Sequence, residues 1–457
     1  MTDPYAPPFA KTGGSTVSRT TPEDGARNAP AQDERSATYR EVLAGGEYRT
    51  VFTANMLSLV GDYFAKAAIT ALVFSQTGSP GLSAVAFALS YAPWLIAGPV
   101  LATLAERYAY RNVMIVCDVA RMGLVALVAV PGMPLWGMLV LLFLASLASP
   151  PAQAARSALL PQILPGDQLP VGTALNLTAG QIAQVGGYLV GGLLAAVSPR
   201  GALVFDAATF GASAILLTLW VGTRPPIVVS GEHHLIRETG EGFRMVFGST
   251  TMRSIALLVF SAMLFTTVPE GLGAAWANQL DGVTPANRGL WQGLIMMSSP
   301  VGAALGALIL TRALTPVRRR RLLLPFSLAI PAVLIPSLLQ PGLLGVCLMS
   351  ALCGFFAAGM LPTANALFVR VLPEGYRARA FGVMQMGLQL CQGGGIIAAG
   401  MLSSWRLQVP TAIGLWSVLG LILIITVAMT WPSRELFDRA LAEAAPKPTT
   451  AQPVAAA

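Results

Sequence analysis

Charged residues make up only 11% of this 457-residue chain, against roughly a quarter in soluble domains. That shortage excludes a water-solvated globular surface for most of its length. Histidine is nearly missing: His233 and His234 are adjacent in a polar stretch, so they can hardly face one metal from a helix. The four cysteines, Cys117, Cys347, Cys353 and Cys391, fall inside apolar blocks, which argues against disulfides or a metal framework and for reduced packing residues. No metal and no cofactor is expected. The net charge of +8 comes without a basic stripe alternating with aromatics, and the arginines stand at the ends of apolar blocks. That placement points to a lipid bilayer and not to nucleic acid as the partner. No nucleotide loop, zinc-protease motif or nucleophile elbow occurs, and the loops are too short for a catalytic domain, so an enzyme is not expected.

What is abundant is apolar: 54% hydrophobic residues and a mean hydropathy of +0.64. The apolar material forms blocks of about 18 to 27 residues, enough to cross a hydrocarbon core as helices that satisfy their own backbone hydrogen bonds. Residues 1–47, rich in Pro, Gly, Ser and Thr, read as a disordered cytoplasmic tail with no secretory apolar run. Six spans follow, approximately 51–75, 82–104, 113–130, 135–160, 171–197 and 202–221, forming an N-terminal bundle over 48–222. Residues 223–253 are too polar to cross and read as a cytoplasmic linker. Six more spans, near 255–276, 290–311, 322–339, 343–369, 380–403 and 409–429, form a second bundle over 254–432, and 433–457 is a cytoplasmic tail. The fold class is therefore an all-α membrane protein of twelve transmembrane helices in two pseudo-symmetric six-helix bundles.

Alternate loops differ sharply in charge. Fifteen arginines, from Arg107 to Arg379 and including Arg156, fall in one set, and only Arg200, Arg288 and Arg406 in the other. Because positive residues are retained in the cytoplasm, both termini are expected inside. The 26 arginines against 3 lysines suggest a GC-rich bacterial gene, hence the bacterial inner membrane. The halves also echo each other: Gln181 and Gln184 recur as Gln389 and Gln392, three residues apart ahead of glycines in the fifth and eleventh spans.

The loop after the second span reads Ala102-Thr-Leu-Ala-Glu106-Arg107-Tyr-Ala-Tyr-Arg111. It resembles the Gly-x-Leu-Ala-Asp-Arg-Phe-Gly-Arg-Arg signature of the major facilitator superfamily, with Glu106, Ala109 and Tyr110 as departures. The following Asp118-x-x-Arg121 is similar to that of its drug and siderophore exporter branch. In the fifth span Gly187-Tyr188-Leu-Val-Gly191-Gly192 stands where such exporters carry Gly-Pro-x-x-Gly-Gly, with Tyr188 replacing proline. The resemblance covers about residues 48–432 and implies the two-bundle fold, alternating access and, from the branch, export. Glu106, Arg107 and Arg111 could pair with Asp118 and Arg121 as a cytoplasmic charge latch, or merely anchor the loop.

Ionisable residues at bilayer depth are costly and therefore functional candidates. In the first span Asn55, Asp62 and Lys66, seven and four residues apart, share one face at about 100° per residue. Asp62 and Lys66 can pair one turn apart, which makes Asp62 the candidate proton site and Lys66 its partner; a permanent ion pair is the other reading. Glu270 follows a proline in the seventh span, the first span's counterpart, and is either a second coupling carboxylate in a broken helix or solvated at the outer rim. Asp206 is expected to be solvated at the outer start of the sixth span. Asn176, Gln181, Gln184, Gln385, Gln389 and Gln392 offer neutral amides to a substrate or to neighbouring helices, and Tyr188 is the favoured aromatic wall of the cavity. Gly302-xxx-Gly306, Gly187-xxx-Gly191 and Gly393-Gly394-Gly395 allow close helix approach.

The leading reading is proton-coupled efflux of small organic molecules, such as drugs, siderophores or natural products, by a monomer. An importer or facilitator of a small solute, or a transport-fold sensor, are the alternatives.

Overall fold

The computed structural model describes residues 38–96, 108–224, 235–372, 377–404 and 407–432, and every described element is helical. Eight helices among them are long and apolar enough to cross a membrane, by length and composition. The remaining crossings have local reasons for falling short. The second span is described only as Pro80–Ala88 and Ala92–Ile96. The third, Tyr110–Val128, carries Asp118 and Arg121; the ninth is split into Pro316–Arg321, Leu323–Ala332 and a 3-10 turn at Ile335–Leu339. The eleventh, Arg377–Ser404, is diluted by glutamine and glycine.

Local chemistry sets the boundaries. The first span, Gly46–Thr77, stops where Gly78 adopts φ 63°, a left-handed conformation open to glycine, and returns its N–H to the Phe74 carbonyl at 2.8 Å. Ser79 then caps the second span through Leu82 N, with Pro80 in the first turn, where no N–H is needed. The seventh span breaks twice, at Thr267 and Leu272, giving Thr250–Thr266, Val268–Gly271 and Gly273–Ala277, with Pro269 in the middle piece. The discontinuity expected around Glu270 is present.

In the first half the first span packs on the fifth (Gln168–Val197) and sixth (Pro199–Trp220), and the sixth on the third. In the second half the eighth (Arg288–Ala313) packs on the tenth (Leu343–Val371), and the seventh on the eleventh and twelfth (Val409–Met429). The halves meet along two equivalent crossings, fifth against eighth and second against eleventh. Glycines make both possible. A Cβ on Gly192 would lie 2.7 Å from the Gly293 nitrogen, and one on Gly400 3.4 Å from the Gly81 Cα. These contacts lie near the end of the fifth and eleventh spans and the start of the second and eighth, so the halves are shut together on the face away from the chain termini. Because a Cβ on Gly400 would also overlap the Ala84 Cβ, Gly400→Leu is expected to force the second and eleventh spans apart and lower the thermal midpoint; an unchanged midpoint would show that the two do not pack this closely.

Candidate functional site

Asp62 sits halfway along the first span and forms an ion pair with Arg121 of the third. This corrects the expected pairing with Lys66. A planar guanidinium arriving from another helix meets a carboxylate in a better geometry than an ammonium one turn along the same helix. Lys66 instead points into aromatic rings: its Nζ lies 5.2 Å from the ring centroid of Tyr63, 5.5 Å from Tyr91 and 5.6 Å from Phe87. Such contacts contribute about 0.5–2 kcal/mol each and offset part of the desolvation of the cation. Lys66 remains within electrostatic reach of both Asp62 and Glu270.

Arg121 is itself buried and stacks on Phe210 of the sixth span at 4.0 Å. Asp118, one turn earlier, accepts a hydrogen bond from Ser213 Oγ at 2.6 Å. The Asp118-x-x-Arg121 pair is thus engaged with the first and sixth spans among the described residues. Arg111 serves as an anchor. Its guanidinium donates to the Leu217 carbonyl at 3.1 Å, the Thr218 carbonyl at 2.5 Å and Thr223 Oγ1 at 2.7 Å, capping the sixth span's C-terminus. Glu106 and Arg107 lie outside the described residues. Arg156, counted above as a loop residue, is within the helix Ser149–Ile163 and within electrostatic reach of Asp118. Asp206 is 1% exposed, so it is not solvated as expected.

Glu270, 4% exposed, is also buried, which removes the rim-solvation reading. Tyr188 OH donates to its Oε2 at 3.0 Å, joining the fifth span to the seventh across the two halves. The Tyr188 ring meets Tyr63 edge-on at 5.1 Å. Tyr188 is fully buried and so walls no open cavity in this conformation; it belongs to the closure between halves. Gln292, which sequence reasoning passed over, adds a second tie: its Nε2 donates to the Ala67 carbonyl at 2.8 Å and to Thr70 Oγ1 at 3.3 Å. Tyr188→Phe leaves a buried carboxylate without this donor, at about 1–3 kcal/mol. Transport is expected to fall about tenfold through a weakened closed state, read as increased labelling of a cysteine placed at Ala196, which is half-buried against Gly289; unchanged labelling would mean that the bond does not hold the closure.

The amides divide. Asn55 Nδ2 donates to Asn176 Oδ1 at 3.4 Å, and Asn176 Nδ2 donates to Tyr48 OH at 3.2 Å and to the Gly172 carbonyl at 3.1 Å. These two tie the first span to the fifth. Gln392 Nε2 rests 3.9 Å from Met263 Sδ. Gln181 and Gln385 are exposed and Gln184 and Gln389 half-buried, and none of the four has a hydrogen-bond partner among the described residues.

Two helical bundles that meet through glycine crossings, with ion pairs held inside one and hydrogen bonds tying it to the other, define a multi-pass membrane transporter. The chain belongs to the Major Facilitator Superfamily, whose profile matches residues 51–335 and 282–455. It is 23% identical over 399 residues to macrolide efflux protein A of Streptococcus pyogenes, covering 84% of this chain and 95% of that one. Among solved structures it resembles the nucleoside transporter NupG, with TM-score 0.66 and 14% identity over 84% of this chain and 100% of that one. An inward-facing, occupied bacterial homologue of the lysosomal transporter Spinster gives TM-score 0.67 and 14% identity, covering 91% of this chain and 100% of that one. A D-xylose–proton symporter gives TM-score 0.63 and 13% identity over 84% and 98%.

Proposed function

We propose that this transporter exports small, largely apolar organic molecules in exchange for protons, working as a monomer in a bacterial inner membrane with both termini in the cytoplasm. One observation carries the coupling: Asp62 holds an ion pair with Arg121 while its side chain remains 29% exposed, so a proton can reach the carboxylate and compete with the guanidinium. Protonation of Asp62 frees Arg121, and release of the proton restores the pair. That exchange links proton occupancy to the packing of the first span against the third and sixth. The direction and substrate class are supported by the similarity to a macrolide efflux protein. The closed outer crossings and the exposed glutamines Gln181 and Gln385 then describe an inward-facing state awaiting substrate, with bundles 48–222 and 254–432 rocking about them.

The test is transport in proteoliposomes of defined orientation, screening labelled macrolides, lipophilic cations and siderophores under an imposed proton gradient. Substrate moving against the proton flow supports export. Movement in the same direction as protons would instead make the protein an importer, and specific binding without movement a sensor.

A further inference from the structure

Asp206 is the most deeply buried carboxylate among the described residues of the first half, and neither of its side-chain oxygens has a hydrogen-bond partner among the described residues. An ionised carboxylate without partners in an apolar bundle is strongly disfavoured, whereas a protonated one is tolerated. The helices packed around it are the first, third and fifth spans. The first presents Asp62 and, one turn on, Lys66; the third presents Arg121 and Asp118, with Arg156 behind them. The fifth has no ionisable side chain besides Tyr188. Arg121 is within electrostatic reach of Asp206 as well as paired with Asp62. It stacks on Phe210 one turn beyond Asp206 and keeps its own Nε buried. A buried donor and a buried acceptor, each without a partner among the described residues, therefore lie on neighbouring helices, the third and the sixth. The close approach of the spans is secured at Gly61, where any side-chain carbon would overlap Asp206 Oδ1 and Thr209 Oγ1.

We propose that Asp206 is a proton store that shares Arg121 with Asp62. In the state described here Asp62 is ionised and paired, and Asp206 carries the proton. When Arg121 turns from Asp62 to Asp206, the proton leaves a side-chain oxygen of Asp206 and binds one of Asp62. The guanidinium stays charged, one carboxyl of the two is neutral before and after, and the net charge of the cluster does not change. Asp62, the only one of the pair with appreciable exposure, then exchanges that proton with the aqueous cavity. The change of partner itself thus never leaves two charged carboxylates beside one guanidinium; a second forms only when Asp62 gives its proton to the cavity, and proton uptake returns the cluster to one.

This inference rests on the proton-coupled reading above but is tested without substrate, by the infrared C=O stretching band of protonated carboxyls in purified transporter at neutral pH. Asp206→Asn is expected to remove one component of that band and leave the rest. Asp62→Asn is expected to remove the same component, because Arg121 moves to Asp206 and ionises it. If the component persists in Asp62→Asn, or if Asp206→Asn leaves the wild-type band intact, the shared store is wrong. Should Asp206→Asn prove unstable, Asp206→Glu keeps the carboxyl and must shift that component; an unshifted band again overturns the assignment. Both losses in a protein that ignores a proton gradient would reject coupled export and leave the store, whereas normal coupling with an unchanged band would do the reverse.

Discussion

Asp62→Asn is expected to bring proton-driven accumulation of substrate down to the level of empty liposomes while leaving the protein folded and able to bind. The carboxamide is isosteric but cannot cycle between charged and neutral states, so the exchange with Arg121 is lost. Losing one partner of a buried ion pair costs about 3–5 kcal/mol when the other is stranded, about 100-fold or more in any equilibrium it biases. Here Arg121 is not stranded, because Asp206 is within its electrostatic reach and Phe210 covers its plane. The loss should therefore appear in coupling and not in yield or thermal midpoint. Asp62→Glu, which retains the titrating group, should recover part of the activity. If Asp62→Asn transports as wild type, the pair is a structural tie and Glu270 becomes the coupling candidate.

The second large effect concerns the fold. Gly302 crosses the tenth span so closely that a Cβ would overlap the Ala351 backbone carbonyl, and Gly354 returns the contact against the Ser299 carbonyl. Backbone atoms of two packed helices cannot step aside as a flexible side chain can, so Gly302→Ala should cost about 1–3 kcal/mol and Gly302→Leu more. We expect Gly302→Leu to fail to yield monodisperse protein. Gly394, by contrast, has nothing within 4 Å of its Cβ position. Gly394→Ala should be neutral or raise the thermal midpoint, since alanine is about 1 kcal/mol better within a helix. A Gly302→Leu protein with wild-type yield and midpoint would mean that the eighth and tenth spans do not pack as described.

These two sites differ in how far the sequence exposes them. Gly302-xxx-Gly306 shows its helical spacing directly, and both glycines meet the tenth span's backbone, at Ala351 and Phe355. Within Gly393-Gly394-Gly395 spacing says nothing: Gly395 lies against the Leu264 carbonyl, Gly393 approaches Tyr91, and Gly394 is open. The all-helical, multi-pass character is legible because a bilayer demands long apolar runs, and the run lengths are counted in the sequence. The polar face of Asn55, Asp62 and Lys66 is legible for the same reason of periodicity. Their partners are not, since pairing between helices is set by rotation and tilt in three dimensions. Spacing along one helix points Asp62 to its neighbour Lys66, whereas Arg121, fifty-nine positions away, holds it. Nearness to a span's start suggests solvent for Asp206, which is buried instead. A signal was there: Asp206, Phe210 and Ser213 repeat at four and three residues, a helical stripe that faces Asp118 and Arg121. Gln292 left no comparable trace, a single amide between Trp291 and Gly293.

Coupling is reciprocal: if a proton gradient drives substrate, a substrate gradient must drive protons. The most direct measurement is therefore proton counterflow, with a pH-sensitive dye trapped inside liposomes and an outward or inward gradient of the transported compound as the only force. The wild type is expected to move protons opposite to the compound, reversing when the gradient is reversed, and Asp62→Asn is expected to move none. Substrate flux with no proton movement in the wild type, or proton movement that survives Asp62→Asn, would contradict the assignment of coupling to the Asp62–Arg121 pair.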